Sequence, residues 1–244
     1  MKKNVYLTII TIVTIACIII GTFSHVIFGL GGFIKYVVTD KYEILNNSDI
    51  SDESYSDSNI SLDAFKNIVI DTDVIDITVV SGDSFSYSLN CNKKLTPSIS
   101  VSNDTLNITQ GRIRSVNIFG FHNVKCKMKV TVPSGTTLNS ADIKSDVGNI
   151  KINNVNFTNM AISTDVGNID LSSIKFDKLK ISSDVGNINI SDIDGIDACD
   201  INIASDIGSI NYLGTTYRNN YNKLSTNAEK SLTITTDIGN VDIK

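Results

Sequence analysis

A six-residue phrase recurs five times in the C-terminal part of the chain and constrains the fold more than any other feature. Its copies read SDVGNI, TDVGNI, SDVGNI, SDIGSI and TDIGNV, and they begin at Ser145, Thr164, Ser183, Ser205 and Thr236. The glycines of successive copies lie 19, 19, 22 and 31 residues apart. A period near 20 residues is typical of a solenoid, in which each repeat forms one coil stacked on the previous one.

Superposition of the repeats predicts four columns of apolar side chains along the solenoid axis. The columns are Ile143, Ile162, Ile181, Ile203 and Ile234; Val147, Val166, Val185, Ile207 and Ile238; Ile150, Ile169, Ile188, Ile210 and Val241; and Ile152, Leu171, Ile190, Tyr212 and Ile243. Because neighbouring coils lie about 4.8 Å apart, each coil would bury these side chains and pair its backbone with the next. We therefore predict an all-β fold, a β-solenoid with coils of about 19–22 residues.

Two further features extend this pattern. Residues 68–79 align with the phrase as a degenerate first coil, in which Ile75 takes the glycine position and Asp76 the asparagine position. The longer intervals predict loop insertions near residues 191–200 and 213–231.

An aspartate and a glycine recur in register within the phrase and form the candidate site. They are Asp146, Gly148, Asp165, Gly167, Asp184, Gly186, Asp206, Gly208, Asp237 and Gly239. A corner accounts for them without any ligand, because Asp bonds to nearby backbone and glycine accepts a positive φ. Calcium between stacked carboxylates is an alternative, although the paired-glycine phrase of calcium-binding solenoids is absent.

Carboxylate catalysis is the third interpretation of the repeated aspartates. Glycosidases use two carboxyl groups whose environments separate their pKa values, whereas every coil here presents the same acid in the same setting. The phrase also contains no histidine or arginine. We favour the structural corner and predict that the protein is not an enzyme and uses no cofactor or metal.

The first 39 residues predict a membrane anchor. No charged residue occurs between Lys3 and Lys35, and a spanning helix needs about 20 apolar residues. A cleaved signal peptide, a lipid anchor on Cys17 and a second short membrane segment at 23–34 are alternatives. Lys2 and Lys3 place the N-terminus in the cytoplasm, which predicts a single-pass bacterial membrane protein with an extracytoplasmic C-terminal domain.

The segment between anchor and repeats predicts a spacer. Residues 40–63 are acidic and rich in serine and asparagine, a composition that cannot bury enough apolar surface to fold, so we expect a flexible linker. The solenoid domain would then span 64–244. The formal net charge of −5 argues against nucleic-acid binding.

The cysteines of the solenoid domain say little about redox chemistry. Cys91, Cys126 and Cys199 are odd in number and lack CxxC spacing, so we interpret them as small buried residues. A Cys91–Cys126 bridge is allowed by this pattern but not required by it.

Two surfaces are candidates for interaction. A strand at 124–132 alternates apolar residues with Lys125, Lys127 and Lys129, which form either an ordinary solvated face or a docking stripe for anionic wall polymer or lipid. Tyr217 and Tyr221, with Arg218 between them, form an aromatic cluster in the 213–231 insertion. We also expect an end-to-end homodimer through the C-terminal coil, since no cap follows it. The alternative is that the 213–231 insertion folds over this end.

Three segments resemble a bacterial family of extracytoplasmic domains often labelled putative adhesins. They are Ile70 to Val74, the turn from Val132 to Leu138, and the five phrases from Ser145 onward. The resemblance covers 64–244 and implies a β-helical domain, a surface role and no established catalytic residues. The expected function is a non-catalytic adhesin or envelope-contact scaffold. The alternatives are an accessory of a cell-envelope stress system, as some family members are, and a polysaccharide-active enzyme.

Overall fold

A computed structural model describes residues 54–111, 126–226 and 228–244, which all belong to one compact unit. The predicted anchor, its alternatives at Cys17 and 23–34, and residues 40–53 of the predicted linker lie outside these residues. Among the residues described, no helix has the length and apolar character needed to cross a membrane.

Three consecutive repeats form the middle of the domain. Each contributes two strands, one to each of two parallel stacks, and we call such a pair a rung. The strands are β8 (Thr137–Val147) and β9 (Ile150–Asn153), β10 (Asn156–Val166) and β11 (Ile169–Ser172), and β12 (Lys178–Val185) and β13 (Ile188–Ser191). Equivalent positions pair in register, as Ile143 does with Ile162 and Ile162 with Ile181. The predicted β-solenoid is confirmed.

The C-terminal repeats do not stack in sequence order. Their strands are β14 (Cys199–Tyr212), β15 (Thr215–Lys223), β16 (Lys230–Ile238) and β17 (Val241–Ile243). The last rung, β16 and β17, pairs with β12 and β13 on one side and with β14 on the other. β15, the main part of the predicted 213–231 insertion, runs antiparallel along the outer edge of β14 and covers that end.

This order contradicts the premise of the predicted homodimer, namely that the C-terminal coil is uncapped. Ile243 pairs with Ile190 on one side and with Tyr212 on the other, so that coil has no free face. The end of the solenoid is instead β15, an irregular edge whose register with β14 shifts between Ala204 and Ser209. Such irregularity protects an exposed edge from pairing with other chains.

The N-terminal part is built in the same inserted order. Its strands are β1 (Ser54–Ser61), β2 (Asn67–Val74), β3 (Asp76–Gly82), β4 (Ser86–Asn92), β5 (Ser98–Ser102), β6 (Thr105–Thr109) and β7 (Lys127–Pro133). The rung of β2 and β3 lies between β8 and β9 and the outer strands β6 and β7. β4 and β5 pair antiparallel with β7 and β6, and β1 adds to the edge of β4.

Two shorter elements and one boundary complete the description. Short 3-10 helices lie at Lys93–Leu95 and Ile196–Ala198, the second within the predicted 191–200 insertion. The prediction of a flexible linker through residue 63 is wrong for β1, whose backbone pairs antiparallel with β4. The sequence hides this strand because its side chains are almost all exposed, so the pairing needs no apolar pattern.

A single core runs through all rungs. The columns headed by Ile143, Ile150 and Ile152 are buried as predicted, and Phe65, Leu138 and other apolar residues extend the same cluster. Each buried aliphatic side chain stabilises the fold by about 1.5–3 kcal/mol. Because the three buried columns continue from rung to rung, the stability of each rung depends on both of its neighbours.

A disulfide fixes the N-terminal cap. Cys91 of β4 bonds to Cys126, which precedes β7, across a sequence separation of 35 residues. Both cysteines are buried. The Cys91–Cys126 bridge that the sequence allowed but did not require is therefore formed. Cys199 is buried and free at the start of β14, where burial raises the pKa of its thiol.

Replacement of Ile243 by Asp is expected to destabilise the domain by about 3–5 kcal/mol, because it buries an unpaired carboxylate between two rungs. Urea unfolding followed by circular dichroism measures the loss. Leu224→Asp is the matched control, since Leu224 is 90% exposed. Wild-type stability of the Ile243 variant would contradict the inserted position of the last rung.

Reduction of the Cys91–Cys126 bond is expected to lower the free energy of unfolding by about 3–4 kcal/mol, because a loop of this length gains much entropy when opened. Thermal melts with and without reductant give the shift. The Cys199→Ser variant, which keeps the bond, should show the same reductant-dependent shift as the unaltered chain. A double Cys91→Ser, Cys126→Ser variant should lose it.

Candidate functional site

Asparagines form a continuous hydrogen-bonded column along the solenoid corner. The backbone N–H of Asn168 donates to Oδ1 of Asn149 at 3.1 Å, and that of Asn187 to Asn168 at 2.9 Å. Asn240 donates to Asn187 at 3.0 Å, in agreement with the inserted order of the rungs. Each side chain therefore links its own rung to the backbone of the next.

The column ends on two other residues. At one end Asn149 donates its backbone N–H to Oδ1 of Asp76 at 2.9 Å, and at the other Ser209 donates to Asn240 at 2.9 Å. The predicted alignment of residues 68–79 is thereby confirmed, since Asp76 occupies the asparagine position and Val74 pairs with Val147.

The phrase glycines are required by close packing of backbones. A Cβ at Gly167 would overlap the carbonyl oxygen of Gly148 in the rung below, and the other four glycines meet a carbonyl oxygen in the same way. Positive φ, the reason expected from the sequence, occurs only at Gly148 and Gly186 among the five. The glycines therefore have a structural role at the corner, and its main cause is steric.

The second predicted apolar column lies outside the core. Val147, Val166, Val185, Ile238 and Ile207 are 46%, 47%, 42%, 47% and 66% exposed. The prediction that they face inward is wrong because the chain turns at this point. In each rung the Ser or Thr before the aspartate is buried, and both the aspartate and the next residue then face solvent.

The aspartates lie beside this exposed column. Asp146, Asp165, Asp184, Asp237 and Asp206 are all exposed, and in the described part of the chain none lies in a salt bridge. The described residues contain no group of three or more His, Cys, Asp or Glu side chains arranged to hold a metal ion. We call the two exposed columns together the corner strip.

The predicted lysine stripe is partly described. Lys127 and Lys129 are exposed on β7, and Lys125 lies outside the described residues. Lys127 pairs across the strands with Asp76, and Lys129 with Thr78. Lys151 of β9 pairs across the strands with Thr78 on one side and with Asp170 on the other. Acidic neighbours therefore balance part of the positive charge of this face.

The predicted tyrosine cluster is part of the C-terminal cap. Tyr221 of β15 stacks on Tyr212 with ring centroids 4.5 Å apart, and Tyr217 lies 4.6 Å from Tyr221. Tyr217 and Tyr221 are half-buried against the core, whereas Arg218 is exposed. Burial, helped by the nearby Tyr221, raises the pKa of Tyr212 to about 12. These rings seal the outermost rung, which β14 forms, and only Arg218 of the three proposed interaction residues is fully at the surface.

Two features of the site were not identified from the sequence. The first is the asparagine column. Its signal is present in the sequence, because four of the five phrases carry asparagine at this position and the fifth carries Ser209. The exposed column was hidden because valine and isoleucine at a regular interval are normally core residues.

Comparison with known proteins agrees with this geometry. A family model described as Toastrack DUF4097 matches residues 65–244. The chain belongs to this family. The Toastrack match begins after β1. No curated protein matches the sequence.

Solved structures are similar to this chain at low sequence identity. One is a putative cell adhesion protein from Clostridium sporogenes, with a TM-score of 0.60 at 16% identity over 79% of this chain and 98% of that one. Another is a putative adhesin from Bacteroides fragilis, with a TM-score of 0.36 at 12% identity over 80% and 99%. The first supports the fold, and its name agrees with the resemblance to adhesins.

Replacement of Gly167 by Ala is expected to destabilise the domain by about 2–4 kcal/mol, because the added methyl group overlaps the backbone of the rung below. Gly111→Ala is the control, since a Cβ there meets no atom within 4 Å. Chemical unfolding of both variants measures the difference. Equal stability of the two would show that the corner tolerates a side chain and would refute the steric role.

Proposed function

We propose that the protein is a non-catalytic contact module on the outside of the bacterial cell, and that the corner strip is its contact surface. The observation that carries this proposal is the exposed column of five β-branched side chains in five adjacent rungs, Val147, Val166, Val185, Ile238 and Ile207. With rungs about 4.8 Å apart, the column extends for about 20 Å.

A continuous apolar column of this length is unusual on a soluble surface and marks a place where another molecule binds. The adjacent aspartates keep the strip hydrated when it is free, and they favour partners with positive charge beside an apolar face. The hydrogen-bonded column next to it holds the strip in one conformation, which lowers the entropic cost of binding.

Uniformity of the strip argues for contact and against catalysis. Each rung presents the same carboxylate in the same surroundings, whereas acid catalysis by two carboxyl groups needs two different environments. A repeated surface suits binding to an extended partner, because every rung adds a similar contact along the axis.

The cellular location is also part of the proposal. The disulfide between Cys91 and Cys126 supports an extracytoplasmic domain, since structural disulfides form in oxidising compartments. The anchor predicted for residues 1–39 would hold this domain at the membrane, and its positive N-terminus would direct the domain outward.

Substitution of the strip tests the proposal in cells that express the full chain. Val166→Asn with Val185→Asn should reduce attachment to envelope material severalfold, because it removes the two central apolar contacts. The matched control is Val69→Asn with Ile60→Asn, whose side chains are 39% and 41% exposed but lie away from the strip. Attachment is counted microscopically, with surface amount measured by antibody.

Unchanged attachment of the strip variant at equal surface amount would refute the proposal. An altered envelope-stress reporter without loss of attachment would instead favour the signalling alternative that the family resemblance suggests.

A further inference from the structure

A shallow groove crosses the outer face of the first stack, over β8, β10, β12 and β16. Its volume is about 410 Å³, and its borders include Asp142, Asn159, Lys178, Lys180 and Thr233. Ala161 lies between Asp142 and Lys180 in the strand register, so a methyl group forms the floor where its neighbours carry longer side chains. We call this depression the lysine groove, and it shares no residue with the corner strip.

The two lysines of the groove differ from most others on the sheet faces. Lys178 pairs across the strands with Asn159 and Ser231, and Lys180 pairs with Ala161 and Thr233. By contrast, Lys127, Lys144 and Lys151 each face an aspartate in the adjacent strand, namely Asp76, Asp71 and Asp170.

No carboxylate balances the charge of the groove lysines. In the described part of the chain neither ammonium group lies within salt-bridge distance of an acid, and the one acid at the rim, Asp142, is paired with Lys144 at 3.5 Å. Both lysines are exposed.

Spacing concentrates this charge on one side of the groove. Lys178 and Lys180 are two residues apart on one strand, so they point to the same face with Cα atoms about 7 Å apart. Two like charges this close repel each other, and an anion between them converts the repulsion into attraction. Asn159, Ser231 and Thr233 add amide and hydroxyl donors on either side.

We propose that the lysine groove binds phosphate groups of an anionic polymer. Lysine ammonium groups act as compact point charges that bind phosphate, and a phosphate group offers them more acceptor oxygens than a carboxylate does. The groove is open, so a polymer can lie along it and place successive phosphates near the lysines.

Titration of the full-length chain with short-chain inorganic polyphosphate, followed by calorimetry at physiological ionic strength, tests this site. The Lys178→Gln, Lys180→Gln double variant is expected to bind about tenfold more weakly, because two charge-assisted contacts are lost. Lys127→Gln with Lys129→Gln is the matched control, with the same two-residue spacing on the other stack. Its affinity should stay within about twofold of the unaltered chain.

A second variant distinguishes binding in the lysine groove from general electrostatic attraction to the protein. Ala161→Glu places a carboxylate on the floor next to Lys180 and should abolish binding without lowering the melting temperature, since Ala161 faces outward. Polygalacturonate, which carries carboxylates at similar density, should bind several times more weakly than polyphosphate.

Three results would overturn the proposal. Absence of polyphosphate binding would refute the site, and equal loss in the Lys127, Lys129 control would show general electrostatic attraction. Binding of polygalacturonate as tight as that of polyphosphate would refute the assignment to phosphate.

Discussion

The corner of each rung rests directly on the backbone of the rung below, and the regularity of the domain depends on this contact. Glycine allows the approach, since a Cβ at Gly167 would strike the carbonyl oxygen of Gly148. Because the two backbones lie close together, the side-chain oxygen of the asparagine accepts a hydrogen bond from the backbone N–H of the next rung. With the corner fixed in this way, the strands on either side pair in register and the buried columns form.

The same contact explains why the chain can insert rungs out of order. Every interior rung offers nearly the same corner and the same apolar columns, so the fit between two rungs does not depend on their distance in sequence. Asn240 bonds to Asn187 across 53 residues as Asn187 bonds to Asn168 across 19. Each end of the domain uses this freedom to place an irregular antiparallel strand outermost, where an exposed parallel edge would invite association.

Much of the fold follows from the sequence, and the exceptions have physical causes. The repeat period identifies the rungs, and the columns headed by Ile143 and Ile150 follow from their spacing. Their order does not, because Tyr212 and Ile243 occupy the same position of the repeat and the pattern does not say which of them pairs with Ile190. The outward position of Val166 is also hidden, since only the turn at the corner interrupts strand alternation. β1 is not predicted from the sequence because backbone pairing alone determines its position.

The candidate sites show a similar division. The aspartate and glycine positions are evident from the repeated phrase, but the exposed valines beside them require the corner geometry. Lys178 and Lys180 are visible in the sequence as two lysines in one strand, yet their distinction from Lys127, which faces Asp76, depends on cross-strand neighbours. Which lysines have an acidic neighbour depends on the strand register between repeats that are distant in the sequence. The repeated phrase alone does not reveal that register.

The inserted rungs at the two ends also determine how such a domain can change its length in evolution. The strands of each end module, β1 to β7 and β14 to β17, complete their own cap and meet the middle through an ordinary rung. Duplication or loss of a 19-residue unit between β8 and β13 would therefore leave both caps unaltered. Such a change would lengthen or shorten the domain by one rung, and each step would move one cap by about 4.8 Å relative to the other.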